Sequence, residues 1–143
     1  MPIYKALSVR QPYAWLLVAG IKTCENRSWS TNHRGTLGIH ASSKPMTKDD
    51  WGFLRDVCAE YEIPTPEPDD PLLRAGGIVG AVYLADVTPT PDPDWEGGWW
   101  DEESFAWLVS DAAEIIEFVP MKGKLGLFDL ELPFEISWKE SIE

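Results

Sequence analysis

Cysteine is scarce in this chain: Cys24 and Cys58 are the two it has. They are not spaced as a CxxC pair, and no histidine stands at ligand spacing from them. A disulfide framework is therefore not expected, and the thiols read as small side chains in a reducing compartment. His33 and His40 are the two histidines, too dispersed from the cysteines to form a metal constellation. No metal and no cofactor are expected. Long apolar runs are missing as well. No stretch approaches the ~20 residues of a membrane helix, and the start from Met1 to Arg10 lacks a signal-peptide pattern. The expectation is a soluble, cytoplasmic protein without membrane association. Basic residues are few, 12 against 24 acidic ones, for a net charge of −12. That balance argues against indiscriminate nucleic-acid binding, which rests on basic surface.

What is present fits one domain over residues 1–143. With 44% hydrophobic and 25% charged residues, a chain of this length can bury a core without staples. The charge is unevenly placed. Residues 1–48 carry seven cations (Lys5, Arg10, Lys22, Arg27, Arg34, Lys44, Lys48) and one acid, Glu25, a local balance of +6. The remainder carries five cations and 23 acids, a balance of −18. Such asymmetry suggests a local anion site on a surface that repels polyanions, favouring a small or single-stranded ligand. Cations scattered in space would give the same count.

The hydrophobic pattern predicts strands at Ala6–Val9, Glu25–Trp29, Thr36–Ser42, Gly77–Val87, Phe105–Val109, Glu114–Val119 and Leu125–Leu132. Thr36–Ser42 alternates with Leu37, Ile39 and Ala41 on one face and His40 on the other. A first helix follows Gln11, with Pro12 at its first position and Gly20 as its stop. A second starts at Thr47, with Asp49 and Asp50 in its first turn. Its apolar residues Trp51, Leu54, Val57, Cys58 and Tyr61 recur at helical spacing. There is no βαβα alternation. The fold class expected is α+β: a small mixed β-barrel of about six strands with two flanking helices. The proline-rich stretches Ile63–Pro71 and Pro89–Trp100 read as loops rather than linkers.

Glu25 and Arg27 are two apart on a predicted strand and so share a face. Lys22 stands at that strand's entrance, beside a helix C-terminus whose dipole it can complement. At the mouth of a barrel the three residues can bind a phosphate or a nucleobase edge. A desolvated lysine there can also act as base or nucleophile, with Glu25 orienting it. Glu25 can instead accept from an exocyclic amine. Taken blandly, Glu25 and Arg27 are a surface pair worth less than ~1 kcal/mol. Arg10 and Gln11 lie at a strand-to-helix junction, which offers either an anion seat or a plain cap. Ser8 shares the face of Arg10. His40 is a candidate for the cleft or a satisfied structural residue. Among the eight tryptophans, Trp29, Trp95, Trp99, Trp100 and Trp107 can stack on bases. Core packing claims Trp15 and Trp51, and competes for Trp107.

These residues fall into ordered motifs. Ser8-x-Arg10-Gln11-Pro12 closes a strand and opens a helix. Gly20-x-Lys22-x-x-Glu25-x-Arg27 follows, then Arg34-Gly35 and the strand end Ile39-His40-Ala41-Ser42. Trp107, Pro120 and Lys122-Gly123 stand near the other terminus. In this the chain resembles the ASCH family across most of its length, the two proline-rich loops excepted. The resemblance implies a PUA-like barrel with a cleft facing RNA, and it adds Trp107 and Lys122 to the candidate ligand-binding set. Some ASCH-like members resemble RNA-modification readers, some are ribonucleases, and a short group are amidohydrolases acting on N4-acetylcytidine. That last group has a threonine three residues after its motif lysine, where this chain has Glu25. Thr23 is adjacent, but strand alternation turns it to the opposite face.

The leading expectation is therefore binding of RNA or a nucleotide-like small molecule through Lys22, Glu25 and Arg27, with Ser8, Arg10, Gln11, His40, Trp107 and Lys122 contributing. A hydrolase acting through Lys22 and Glu25 is the second reading. A protein-interaction domain using the acidic Pro/Trp loop, residues 88–101, is the third.

Overall fold

The computed structural model describes residues 2–89 and 104–136, with the side chains of 112–117 excepted. Trp95, Trp99, Trp100 and the loop expected to serve protein interaction lie outside the described residues from position 90 onward. The elements are β1 (Ile3–Val9), α1 (Tyr13–Val18), β2 (Cys24–Arg27), β3 (Gly35–Ala41), α2 (Lys48–Glu60), a 3₁₀ turn (Pro71–Leu73), β4 (Gly77–Thr88), β5 (Phe105–Pro120) and β6 (Leu127–Glu131). The fold is α+β: a mixed six-stranded sheet in the order β2-β5-β4-β3-β1-β6 with two α-helices. Only the β1–β3 pair is parallel; the other neighbours are antiparallel.

Two expectations need correction. The sheet is not closed into a barrel among the described residues. Its edges, β2 and β6, are four and five residues long and pair only with β5 and β1. The sheet is nonetheless curved. Arg27 on the first strand of that order reaches the Ser8 carbonyl on the fifth, so a side chain spans a gap that ladder hydrogen bonds do not. Second, residues 105–109 and 114–119 form one continuous strand. Ser110-Asp111 reads as a break in the pattern, but it is a bulge. Tyr83 pairs Ser110 and Val82 pairs Ala112, leaving Asp111 out of register. Asp111 takes φ +42°, a conformation that aspartate tolerates better than most residues.

The core explains the strand pattern. Leu7, Val9, Leu37, Ile39, Val82, Leu84 and Trp107 pack with Ala14, Leu17 and Val18 of α1. Trp15 and Leu16, on the other side of that short helix, pack against Leu54, Val57 and Cys58 of α2. Ala6, Ile78, Phe128, Leu130 and Leu132 fill the opposite face of the sheet. β3 is therefore covered on both faces, and Leu37 through Ala41 are all buried. Gly38 is needed there because a Cβ would come within 2.9 Å of Leu130 Cδ2. α2 begins with a capping box in which Thr47 and Asp50 exchange side-chain and backbone bonds, satisfying two orphan N–H groups.

Candidate functional site

α1 ends in a turn that delivers Lys22. Gly20 adopts φ +80°, which suits glycine, and the amides of Ile21 and Lys22 both donate to the Leu16 carbonyl at 3.0 and 2.9 Å. Lys22 is thereby fixed at the entrance of β2, and its side chain turns inward to 4% exposure. Its Nζ donates to the Cys24 carbonyl and, at 3.0 Å, to Glu25 Oε1. Arg27 Nη2 donates to the other oxygen, Glu25 Oε2, at 2.9 Å. The same Nη2 donates to the Ser8 carbonyl at 2.9 Å. The expected common face of Glu25 and Arg27 is present, and two cations converge on one carboxylate.

This triad lies in a hollow of about 610 Å³ lined in part by Val9, Arg10, Tyr13, Asn26, Trp29 and Phe53. The hollow occupies the gap between the end of β1 and the edge strand β2, where the sheet fails to close. Tyr13 and Phe53 give it an aromatic wall, their rings 5.6 Å apart and tilted. Trp29 stands edge-on to Trp107 at 4.8 Å. Trp107 is fully buried, and its Nε1 donates to the Trp29 carbonyl at 3.2 Å. It does not line this hollow and instead holds Trp29 in place.

Arg10 joins the triad at the rim but is partnered. Its Nη2 donates to Asp50 Oδ1 at 2.6 Å, and its guanidinium lies 5.9 Å from the Tyr13 ring centre. The Asp50 carboxyl is held below its ordinary range, chiefly by the Thr47 amide, with Arg10 adding to the effect. Gln11 turns away from the triad. It is buried, donates to the carbonyls of Leu72 and Arg74 at 2.8 and 3.2 Å, and accepts from the Trp15 amide. It pins α1 to the 3₁₀ turn.

Ser8, His40 and Lys122 gather elsewhere, around a second hollow of about 870 Å³ also lined by Ser42, Ser43, Met121, Lys124 and Leu125. His40 is 1% exposed. Its Nε2 lies 2.7 Å from the Met121 carbonyl, which can only accept, so Nε2 carries the proton. Nδ1 shares a hydrogen bond with the Ser8 hydroxyl at 2.9 Å. The two hollows meet at Ser8, whose hydroxyl serves one and whose carbonyl is held by Arg27 of the other.

Neither thiol is a nucleophile candidate. Burial pushes the Cys24 thiol up, with Lys22 pulling against it, and burial likewise raises Cys58. Thr23 does not join the triad. It lines a small separate cavity with Leu17, Val82 and Asp111, and its hydroxyl is buried without a partner among the described residues. Among those residues no cluster of His, Cys, Asp and Glu could hold a metal ion, and no helix is long and apolar enough to cross a membrane. Sequence reasoning missed Tyr13, Phe53 and Asn26. The first two follow the helical periodicity of core residues, and only the crossing of α1 and α2 beside β2 exposes their edges to the hollow.

A sequence model of the ASCH domain matches residues 7–122, a span that includes both hollows except Gly123, Lys124 and Leu125. Activating signal cointegrator 1 of Homo sapiens is 31% identical over 137 residues, covering 87% of this chain and 22% of the relative. The Mus musculus protein of the same name matches to the same extent. The chain thus spans about a fifth of the length of these curated relatives.

Proposed function

The chain belongs to the ASCH domain family, and from that premise we propose that it binds RNA, or a modified nucleoside from RNA, in the hollow beside β2. The observation that carries this reading is the convergence of Lys22 and Arg27 on Glu25 within an aromatic-walled gap. A nucleobase needs a flat apolar surface and a few fixed polar groups at its edge. Tyr13, Phe53 and Trp29 supply the first and the triad supplies the second. Among the described residues both Arg27 bonds use Nη2, which leaves Nε and Nη1 as donors for a base carbonyl or a phosphate. Glu25 has lone pairs beyond the two its cations engage, which suit an exocyclic amine such as that of cytosine. The acidic remainder of the chain weakens attraction for long polyanions, so selectivity rests on this local geometry.

Binding is favoured over hydrolysis by the same contacts. Lys22 spends donors on the Cys24 carbonyl and on Glu25, which is the arrangement of a positioned cation rather than of a base. Calorimetric titration of cytidine, N4-acetylcytidine and short RNA into the native chain and into Arg27→Ala tests the reading. Saturable binding that Arg27→Ala abolishes is expected, with no product formed on prolonged incubation. Equal affinity in both proteins would sink it. Steady release of cytidine from the acylated nucleoside would establish the hydrolase instead.

A further inference from the structure

We propose that the second hollow, between the end of β1 and the β5–β6 loop, seats the neighbouring nucleotide, so that the ligand is a single-stranded oligonucleotide rather than a free nucleoside. The inference rests on the reading of the first hollow given above and adds the ligand's length.

Four observations carry it. First, the two hollows share Ser8: its side chain lines the second, and its carbonyl accepts at 2.9 Å from Arg27, which lines the first. Second, the charge is complementary. Among the described residues the lining includes Lys122 and Lys124 and no carboxylate, in a chain of net charge −12. Asp129, which senses Lys124, is itself bonded by Lys5 at 2.6 Å. Third, the amides from Lys122 to Leu125 have no backbone carbonyl partner among the described residues, so this loop offers N–H groups as well as ammonium groups to a phosphate. Fourth, the walls are apolar where the rim is cationic. Pro120, Met121 and Leu125 line the hollow, and Leu125 is fully exposed, which suits the face of a base.

The Ser8–His40 pair then acts as the floor rather than as a reacting group. The loop backbone lies directly on it: a Cβ at position 123 would collide with Ser8 Oγ and fall 2.8 Å from His40 Cε1. His40 ties the loop to β3 through the Met121 carbonyl, which fixes where Lys122 and Lys124 stand. A strand laid across the end of β1 would place one base against Tyr13 and Phe53, the next against Met121 and Leu125, and its phosphates within reach of the two lysines.

The test compares cytidine with a 5′-phosphorylated cytidine dinucleotide by calorimetry at several salt concentrations. The proteins are the native chain, the double variant Lys122→Gln/Lys124→Gln, and Arg27→Ala. The dinucleotide is expected to bind the native chain about tenfold or more tighter than cytidine. The double variant should lose that gain while keeping its cytidine affinity, and its salt dependence should flatten by roughly 0.7 in log–log slope for each phosphate it no longer neutralises. Equal affinity for the two ligands, or a gain that survives in the double variant, overturns the second seat and leaves the first intact. Failure of both ligands to bind the native chain, or indifference of both to Arg27→Ala, overturns the two together. A melting temperature of the double variant equal to that of the native chain shows that exposed lysines were removed without disturbing the fold.

Discussion

The Arg27 guanidinium donates to the Ser8 carbonyl at 2.9 Å, tying the edge strand β2 to β1 across the gap where the sheet stays open. The bond sets the width of the hollow from one side, and Glu25 orients the same guanidinium from the other. Arg27→Lys keeps the charge but cannot reach both acceptors from one planar group. It should lower stability by about 1.5–3 kcal/mol, the range for a hydrogen bond to a charged group. It should weaken nucleoside binding nearly as much as Arg27→Ala does. Chemical denaturation paired with calorimetry reads both effects.

Glu25 is the anion between two cations, with its side chain 11% exposed and that of Lys22 4% exposed. Glu25→Gln leaves Lys22 buried without its countercharge. Removing one partner of a buried pair costs about 3–5 kcal/mol because the other charge is stranded. The variant should therefore melt well below the native chain. Adding Lys22→Met should recover most of the loss, since a methionine removes the stranded charge and keeps much of the volume. A double-mutant cycle by urea denaturation measures this coupling.

Local chemistry explains how much of this is legible in the sequence. Gly20, Lys22, Glu25 and Arg27 are readable as a unit because a helix stop and a two-residue strand period act over short range. The capping residues Thr47 and Asp50 are readable for the same reason. What escapes depends on contacts between distant segments. The sequence pattern puts Ser8 and His40 in one cleft with Lys22, but both side chains lie under the β5–β6 loop, where His40 bonds the Met121 carbonyl, so they face a second hollow. Arg10 reads as an open anion seat because nothing local shows Asp50 40 residues away. Trp107 reads as a stacking platform, yet its depth in the sheet makes it the support for Trp29. The break expected near Ser110 is a bulge because β4 is long enough to carry one continuous partner.

Gly123 allows the β5–β6 loop to rest on the Ser8–His40 pair. Gly123→Ala would drive a methyl group into Ser8 Oγ and the imidazole, so either the loop lifts or the pair parts. Overpacking of this kind typically costs about 1–3 kcal/mol. Dinucleotide binding should fall while cytidine binding holds, because the first hollow does not include this loop. Gly126→Ala is a useful comparison. It meets no atom within 4 Å, but φ +68° makes it strained, so it should destabilise without the same selective fall in dinucleotide affinity.

Asp50 restrains the first hollow and also gives the protein a dependence on acid. Its carboxyl is held below the ordinary value of 3.8, first by the Thr47 amide and further by Arg10. A lowered folded-state value means that the unfolded chain binds the proton more readily. The stabilisation is complete above the ordinary value, declines as the pH falls below it, and is gone once the pH passes below the folded value. In Asp50→Asn that part of the acid sensitivity should disappear, whereas the contribution of Asp129, lowered by Lys5, should remain. The same substitution releases Arg10, which now donates to Asp50 at 2.6 Å, to face the hollow as an additional cation. Nucleotide affinity should rise severalfold even as the capping box weakens, and the salt dependence should steepen by roughly 0.7 in log–log slope for one more neutralised phosphate. Thermal melts across an acid series, with calorimetric titrations at neutral pH, separate the two effects. An Asp50→Asn protein that binds no tighter would show that Arg10 belongs to the α2 cap and not to the ligand.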